Sequence, residues 1–450
     1  MSLIFSLGEI LEESRAAYLQ IKEGSRDGAA FYPVEEICSR NEPPCGDSLL
    51  ARGDNLDFMQ YLIKEKGLEG KLQLIYVDPP FYSKASYDAV IKLKSDKVGE
   101  VPAIKPVAYD DVWKTGIREY LKMLSVRFFL MRDLLCEKGC FWVHLDWHVV
   151  HYVKLLLDEI FGEKNFVNEV VWTYKSGGTG KRNFSRKHDT LLFYGKSKDY
   201  FFHPLKEKSY NRGYKPYHFK GVEEYKDEIG WYTLVNMKDV WQIDMVGRTS
   251  GERTGYATQK PEELLRRIIQ SCSQEGDLCA DFFGGSGTLA AAARELGRKW
   301  ISCDIGGIAA ASCMKRMSIK NSSFTFLEQH ADSHGDELNI KVETEPIPFT
   351  DKLLMIVTLL DYQMDTRKMP LRGKDGDILQ RFRREDPLQL LEYWSVDFSY
   401  DGRVHRPQFS FPKKQDRIET SCRQIVGKAE TVSIRTMDVF GNSTLKILEF

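Results

Sequence analysis

Two short segments of this 450-residue chain combine residue types that can do chemistry together. The first, Asp78-Pro79-Pro80-Phe81, directly follows the apolar run Leu72–Val77. Its prolines fix φ and remove two backbone donors, so the carbonyls there stay free to accept from a ligand. A carboxylate, a carbonyl and an aromatic face at fixed spacing suit a planar ring bearing an exocyclic amino group. Asp78 and the Pro79 carbonyl would take the two amino protons while Phe81 stacks on the ring. Such an amine is a poor nucleophile, because its lone pair is shared with the ring. Two acceptors draw it toward tetrahedral geometry, aim the lone pair at an electrophile and stabilise the charge growing on nitrogen. The proton leaves after transfer, so Asp78 need not be a strong base.

The second segment, Asp281-Phe282-Phe283-Gly284-Gly285-Ser286-Gly287-Thr288, lies between an expected strand and an expected helix. Glycines there allow a sharp turn and let a ligand lie against the main chain and the helix N-terminus. Asp304 ends the next strand, where a carboxylate can accept from both hydroxyls of a ribose. Gly285, Gly287 and Ala290 also satisfy the dinucleotide fingerprint, with Asp304 at nearly the matching distance. The loop therefore indicates a nucleoside cofactor and leaves open a nicotinamide dinucleotide or an adenosine without phosphates, as in S-adenosylmethionine.

The elements that must position these segments alternate. Strands are expected at Leu49–Arg52, Leu72–Val77, Phe141–Leu145, Phe166–Trp172, Thr190–Tyr194, Leu278–Phe282 and Trp300–Cys303. Helices are expected from Asn55 to about Lys66, then at Arg118–Leu135, His148–Phe161, Glu262–Cys272 and Leu289–Leu296, with one more at the end of this run. Apolar strands alternating with helices predict an α/β, doubly wound, Rossmann-like parallel sheet. Residues 1–47 read as a helical extension, with a helix over Leu7–Ile21 and a capping box at Ser6 and Glu9. Residues 48–173 form one half of the sheet domain, 174–255 an insert and 256–330 the other half. Residues 335–450 read as an α+β or mainly β accessory domain, with helices over Lys352–Leu360 and Leu388–Tyr393.

Composition sets outer limits. Apolar residues make up 42% and charged residues 29%, enough to bury a large core. The 64 basic and 65 acidic residues exclude a uniformly basic coat but not a local basic patch. No apolar run approaches the ~20 residues that span a bilayer, and the start does not read as a signal peptide. Nine scattered cysteines without a Cys-x-x-Cys pair point to a reducing, cytoplasmic setting. Cys136, Cys140, His144, His148 and His151 run from a helix end through a strand into a helix, on differing faces. They read as core and surface residues, with no metal expected.

With these residues in view, the chain resembles the amino-group DNA methyltransferases of the permuted β class, which act on adenine N6 or cytosine N4. The resemblance covers about residues 48–320. It rests on Gly53-Asp54-Asn55-Leu56, the Asp78–Phe81 box, Ile160-Phe161-Gly162 with Asn165, Phe166 and Glu169, and Lys187-His188-Asp189. Thr258-Gln259-Lys260-Pro261 and the Phe283–Thr288 loop complete it. The box precedes the glycine loop, which is the permuted order; Phe282 stands where the family usually has proline.

The resemblance implies that Asp78 and Pro79 hold the target amino group, within the box completed by Pro80, and that Phe81 stacks on the base. It implies S-adenosyl-L-methionine held by Phe283, Gly284, Gly285, Ser286, Gly287 and Thr288, with Asp281 near the methionine amino group. Asp304 would hold the ribose and Asp54 the adenine, while Lys260 and Pro261 open a helix beside the methionine end. Tyr82 is a further base-contact candidate. An aspartate in the box favours adenine over cytosine.

A base inside a duplex must be flipped out to reach such a pocket. Across Tyr174–Lys220, 12 Lys/Arg stand against three acids, with eleven aromatics among them, which suits a surface that tracks a phosphate backbone. Lys175, Lys181, Arg182, Phe184, Arg186 and Lys187 are the DNA-binding candidates, and Ser176–Gly180 suggests a mobile loop. The leading expectation is a site-specific adenine-N6 methyltransferase acting on double-stranded DNA. The cytosine-N4 enzyme is the near alternative. A nicotinamide-dependent dehydrogenase and a catalytically silent DNA-binding subunit are the distant ones. A homodimer and a restriction or helicase subunit stay open as partners.

Overall fold

The computed structural model describes residues 3–24, 28–39, 47–177, 181–329, 336–365, 371, 373–427 and 431–449. Its centre is a ten-stranded sheet. The spatial order is Tyr32–Ile37, Phe324–Glu328, Leu49–Arg52, Lys299–Asp304, Leu278–Asp281, Leu72–Val77, Leu135–Leu145, His188–Gly195, Phe166–Thr173, Val240–Gln242. From Phe324–Glu328 to Leu135–Leu145 all neighbours are parallel. His188–Gly195 runs antiparallel to both of its neighbours, and Tyr32–Ile37 antiparallel to Phe324–Glu328. Leu72–Val77 is buried along its whole length, as a parallel strand covered on both faces must be.

Helices cover both faces, each over its own apolar layer. Asn55–Lys64, Ile117–Leu134 and Val150–Leu157 pack on one side, and Glu262–Cys272, Thr288–Glu295 and Gly307–Ile319 on the other. Strands Leu278–Asp281 and Leu72–Val77 are neighbours, yet the helices that follow them lie on opposite faces. That divergence opens a crevice at their carboxyl ends, the place where open α/β sheets bind ligands. The α/β, Rossmann-like doubly wound reading is the observed architecture, with antiparallel additions at the edges.

Several expectations are corrected. The first helix starts at Leu3, so Ser6 lies inside it and does not cap it. Tyr32–Ile37 joins the central sheet, so residues 1–47 are not purely helical. The stretch 174–255 contributes His188–Gly195 and Val240–Gln242 to that sheet. Between them it carries its own three-stranded sheet of Lys206–Tyr210, Tyr225–Lys226 and Trp231–Asn236. Within the sheet domain the expected strands and helices differ from the observed ones mainly at their ends, and Glu262–Cys272 matches at both. Cys136, Cys140, Cys272, Cys279, Cys303, Cys313 and Cys422 are free thiols, whereas Cys38 is disulfide-bonded. Among the described residues no helix is long and apolar enough to cross a membrane.

The C-terminal region holds a three-stranded and a four-stranded antiparallel sheet around their own apolar cluster, with one helix, Gly373–Glu385, among its described residues. The expected helix Lys352–Leu360 is instead the strand Leu353–Gln363, where Met355, Val357 and Leu359 are buried alternately. Leu388–Tyr393 is a 3-10 turn, Pro387–Leu390, leading into the strand Leu391–Asp397. In both cases short apolar runs fit either period, and cross-strand partners decided for the strand. This region packs against the edge of the central sheet. Tyr393 and Ser395 donate to the buried Glu35 at 2.6 and 2.7 Å, and Arg435 donates to Glu328 at 2.9 Å.

Candidate functional site

The crevice is a cavity of about 960 Å³ that contains both chemical segments of the sequence. Asp78, Pro79, Pro80 and Phe81 line one wall. Asp281, Phe283, Gly284, Gly285, Ser286, Thr288 and Asp304 line the other, with Asp54 and Lys260 between them. Pro261 and Gly287 sit behind the lining: Pro261 caps the helix Glu262–Cys272, and Gly287 caps Thr288–Glu295.

On the first wall the box is held rigidly. The Pro80 carbonyl accepts from Tyr120 Oη at 2.6 Å. The buried Asp111 accepts from the Tyr82 and Ser83 amides at 3.1 and 2.6 Å and fixes the next turn, in which Tyr82 adopts a φ of 60°. Among the described residues no hydrogen bond reaches the Pro79 carbonyl. Asp78 Oδ1 is buried with no partner among them, while its Oδ2 accepts from Lys260 Nζ. Lys260 Nζ also lies 5.3 Å from the Phe81 ring centroid. The sequence reading placed Lys260 beside the methionine end of the cofactor; the structure brings it to the carboxylate of the box.

Behind Phe81 runs a buried polar chain that the sequence reading did not assign. The His144 ring lies 5.8 Å from the Phe81 ring. Its Nδ1 pairs with Tyr76 Oη at 2.8 Å and its Nε2 with Asp189 at 3.2 Å. Asp189 also accepts from Tyr174 Oη at 3.1 Å. Burial raises the Asp189 carboxyl, but the hydrogen bond from His144 and the charges around it outweigh that and hold the group below the usual range. The visible signals were His144 in the scattered Cys/His set and Asp189 in Lys187-His188-Asp189; neither pattern shows that the two meet.

The glycine wall has no room for side chains. A Cβ at Gly284 would stand 2.1 Å from Ser302 Oγ, and one at Gly287 would stand 2.4 Å from Cys313 Sγ. Gly285 and Gly287 take φ values of +47° and +73°, where glycine is favoured. The Gly285 and Gly306 amides donate to the two oxygens of Asp304 at 2.9 and 2.8 Å. A carboxylate has about four lone-pair positions, so Asp304 keeps capacity for a diol. Asp281 is 5% exposed and accepts from the Phe283 amide at 2.9 Å. Burial pushes its carboxyl well above the ordinary range, that amide opposes the rise, and the charges of Asp78 and Asp304 add to it.

Asp54 faces the cavity but is engaged: Arg127 Nη2 reaches its Oδ2 at 3.0 Å, and it caps the Leu56 amide at 2.7 Å. Asn55 Nδ2 donates to the Phe282 carbonyl at 2.6 Å and ties this loop to the glycine loop. Arg316 does the same from the other side, donating to Ser286 O at 3.2 Å and to Glu262 at 2.7 Å. No pattern in the sequence singled out Asn55, Arg127 or Arg316 for these links, because each depends on a partner far along the chain.

Of the insert candidates, Lys181 and Arg182 are exposed. Phe184 is 98% exposed, Arg186 lies over Trp147, and Lys175 Nζ is 3.9 Å from Asp244. Lys187 is turned inward, donating to the Ser176 and Gly177 carbonyls at 2.8 and 2.6 Å. Within the expected mobile loop Ser176–Gly180, residues 178–180 lie outside the described residues.

The DNA methylase family of N6 and N4 type matches residues 72–310, from the strand before the box to the helix after Asp304. The Type II methyltransferase M.EcaI of Enterobacter cloacae is 29% identical over 313 residues, covering 56% of this chain and 66% of the relative. The Type II methyltransferase M2.DpnII of Streptococcus pneumoniae is 25% identical over 277 residues, covering 61% of this chain and 91% of that one. The chain thus spans a little under two thirds of the first relative's length and most of the second's. Among solved structures, the M1.HpyAVI–SAM complex aligns at 16% identity and a TM-score of 0.38, over 60% of this chain and 98% of that one.

Proposed function

Because the chain belongs to the N6/N4 DNA methylase family, we propose that it transfers a methyl group to the N6 amino group of an adenine extruded from double-stranded DNA. S-adenosyl-L-methionine is the cofactor and supplies the methyl on a positively charged sulfur. The observation that supports an amino-group target is Asp78 Oδ1, buried and without a hydrogen-bond partner among the described residues, beside the Pro79 carbonyl and the Phe81 ring; adenine rather than cytosine rests on the aspartate in the box. An unmade hydrogen bond at a buried carboxylate is costly, and a ring amine is a guest that would satisfy both acceptors at once.

In this reading Asp78 Oδ1 and the Pro79 carbonyl accept the two amino protons, and Phe81, backed by His144, supports the base. As charge grows on the amino nitrogen, the preoriented acceptors stabilise it without reorganising. Asp78 then receives the proton that the methylated nitrogen gives up. Lys260 sits on Oδ2 and leaves Oδ1 open to the amine. Asp281 would neutralise the methionine ammonium, Asp304 would accept from the ribose diol, and the Gly284–Gly287 turn would let the cofactor lie against the main chain. Pro261 and Thr288 set the helix starts on either side. Asp54, already paired with Arg127, would offer its remaining capacity to the adenine. Lys175, Lys181, Arg182, Arg186 and Phe184 would contact DNA, with Lys187 bracing their loop.

Incubation with unmethylated DNA and isotopically labelled S-adenosylmethionine, followed by nucleoside identification, tests this. N6-methyladenine is expected. N4-methylcytosine would overturn the choice of base, and label in RNA alone would overturn the substrate.

A further inference from the structure

Trp147 has no part in the methyl-transfer site, and it stands at the rim of the cleft. It follows the cleft-lining Asp146, just beyond the strand Leu135–Leu145, which is the parallel neighbour of the strand that ends before Asp78. Its indole is 45% exposed although large aromatic side chains are mostly buried. Two groups hold it. The His148 ring lies 3.8 Å away and is itself fixed by Asp146 at 2.7 Å. The Arg186 guanidinium lies 3.9 Å from the indole centroid and comes from the basic stretch that carries the fully exposed Phe184.

We propose that Trp147 is a wedge that enters the gap opened in the duplex when the target base leaves it, with Arg186 as its removable cover. This rests on the reading of the cleft as a DNA amino-methyltransferase site. Extrusion breaks stacking and pairing, and a flat aromatic group inserted at that step restores part of the stacking. His148, fixed by Asp146, still holds the indole once Arg186 has left, so the ring loses little freedom on insertion. A guanidinium over an exposed ring is a weak contact, whereas a charge-assisted contact to phosphate is strong. A phosphate arriving at the basic stretch therefore draws Arg186 away and uncovers the indole. Backbone contact and insertion become one event.

The test uses two duplexes carrying a target mapped from the wild-type enzyme's own product. In one the target is paired, and in the other it faces an abasic site, so that no pair is broken. Methyl transfer is followed in single turnover for wild type, Trp147→Ala, Trp147→Leu and Trp147→Phe, with thermal melting as the check of folding. On the paired duplex Trp147→Ala and Trp147→Leu should be slower by roughly tenfold, the size expected for one lost base–aromatic stack. On the abasic duplex both should come within about twofold of wild type, because the extrusion cost is already gone. Trp147→Phe should stay near wild type on both. An equal loss on both duplexes, or no loss on either, overturns the wedge. No transfer by wild type would instead remove the methyltransferase reading on which it rests.

Discussion

The cleft and the seam beneath the C-terminal region both bury carboxylates, and they treat them differently. In the seam, Glu35 accepts from Tyr393 and Ser395 and has Arg435 at 3.6 Å, while the same guanidinium donates to Glu328. The neighbouring His405 is held neutral by burial, which pushes its pKa down to about 3. In the cleft, Asp281 has one backbone donor and Asp78 Oδ1 has none among the described residues. Taking an ion out of water costs several kcal/mol unless partners replace the solvent. The seam supplies charge partners from within the chain: Glu35 Oε2 and Arg435 Nε make no hydrogen bond, but they face each other at 3.6 Å and tie two regions together. Asp78 and Asp281 differ in lining an open cavity, so the capacity they keep among the described residues is within reach of a ligand.

The contrast breaks most visibly at Asp78. Asp78→Ala should lower methyl transfer on the order of a thousandfold or more while cofactor affinity by calorimetry stays at the wild-type value. Wild-type turnover in this variant would return the cleft carboxylates to a structural role. In the seam, Arg435→Met takes the guanidinium away from the buried Glu35 and leaves Glu328 with Arg52 at 3.6 Å and Ser443 Oγ at 3.5 Å. A loss of about 3–5 kcal/mol is expected in denaturant unfolding, with transfer unchanged well below the midpoint. Lost activity with intact stability would place the seam in the chemistry.

Asp281→Asn sharpens the cleft side. Removing a charged acceptor should weaken cofactor binding roughly tenfold to a hundredfold. Because burial raises the Asp281 carboxyl, acidification protonates it early, and the ammonium-binding form is lost as pH falls toward that raised value. Wild-type affinity should therefore decline on the acid side, and the decline should vanish in Asp281→Asn. The smallest effect concerns Asp438, in the C-terminal region, whose pKa burial raises from 3.8 to about 6. The folded protein holds this proton more tightly than the unfolded chain, so its stabilising contribution is full below 3.8 and lost as pH rises through about 6. The melting temperature should drift down by a few degrees between about pH 5 and pH 7, and less so in Asp438→Asn.

How much was legible follows from the range of each interaction. The Asp78–Phe81 box, the glycine turn and Asp304 could be read because each depends on residues next to it: prolines that fix φ, glycines that take positive φ, an acid that closes a strand. The helix Glu262–Cys272 was readable from its apolar period. The helix expected over Lys352–Leu360 failed for the opposite reason. The run Leu353–Gln363 is apolar enough for either element, and its pairing with Glu337–Pro346 and Ser421–Val426 settled it. Lys260 was recognised at the start of its helix, but its pairing with Asp78 could not be read, since Asp78 lies 182 residues earlier in the chain.

The sequence by itself determined the two chemical segments, their permuted order and the alternation that builds a doubly wound sheet, because dihedral preference and hydrophobic period act over a few residues. Only the tertiary structure decided which acids remain incomplete, which lysine faces the box and which aromatic stands at the rim. Those outcomes depend on burial and on partners brought together from distant parts of the chain, and burial is a property of the folded whole.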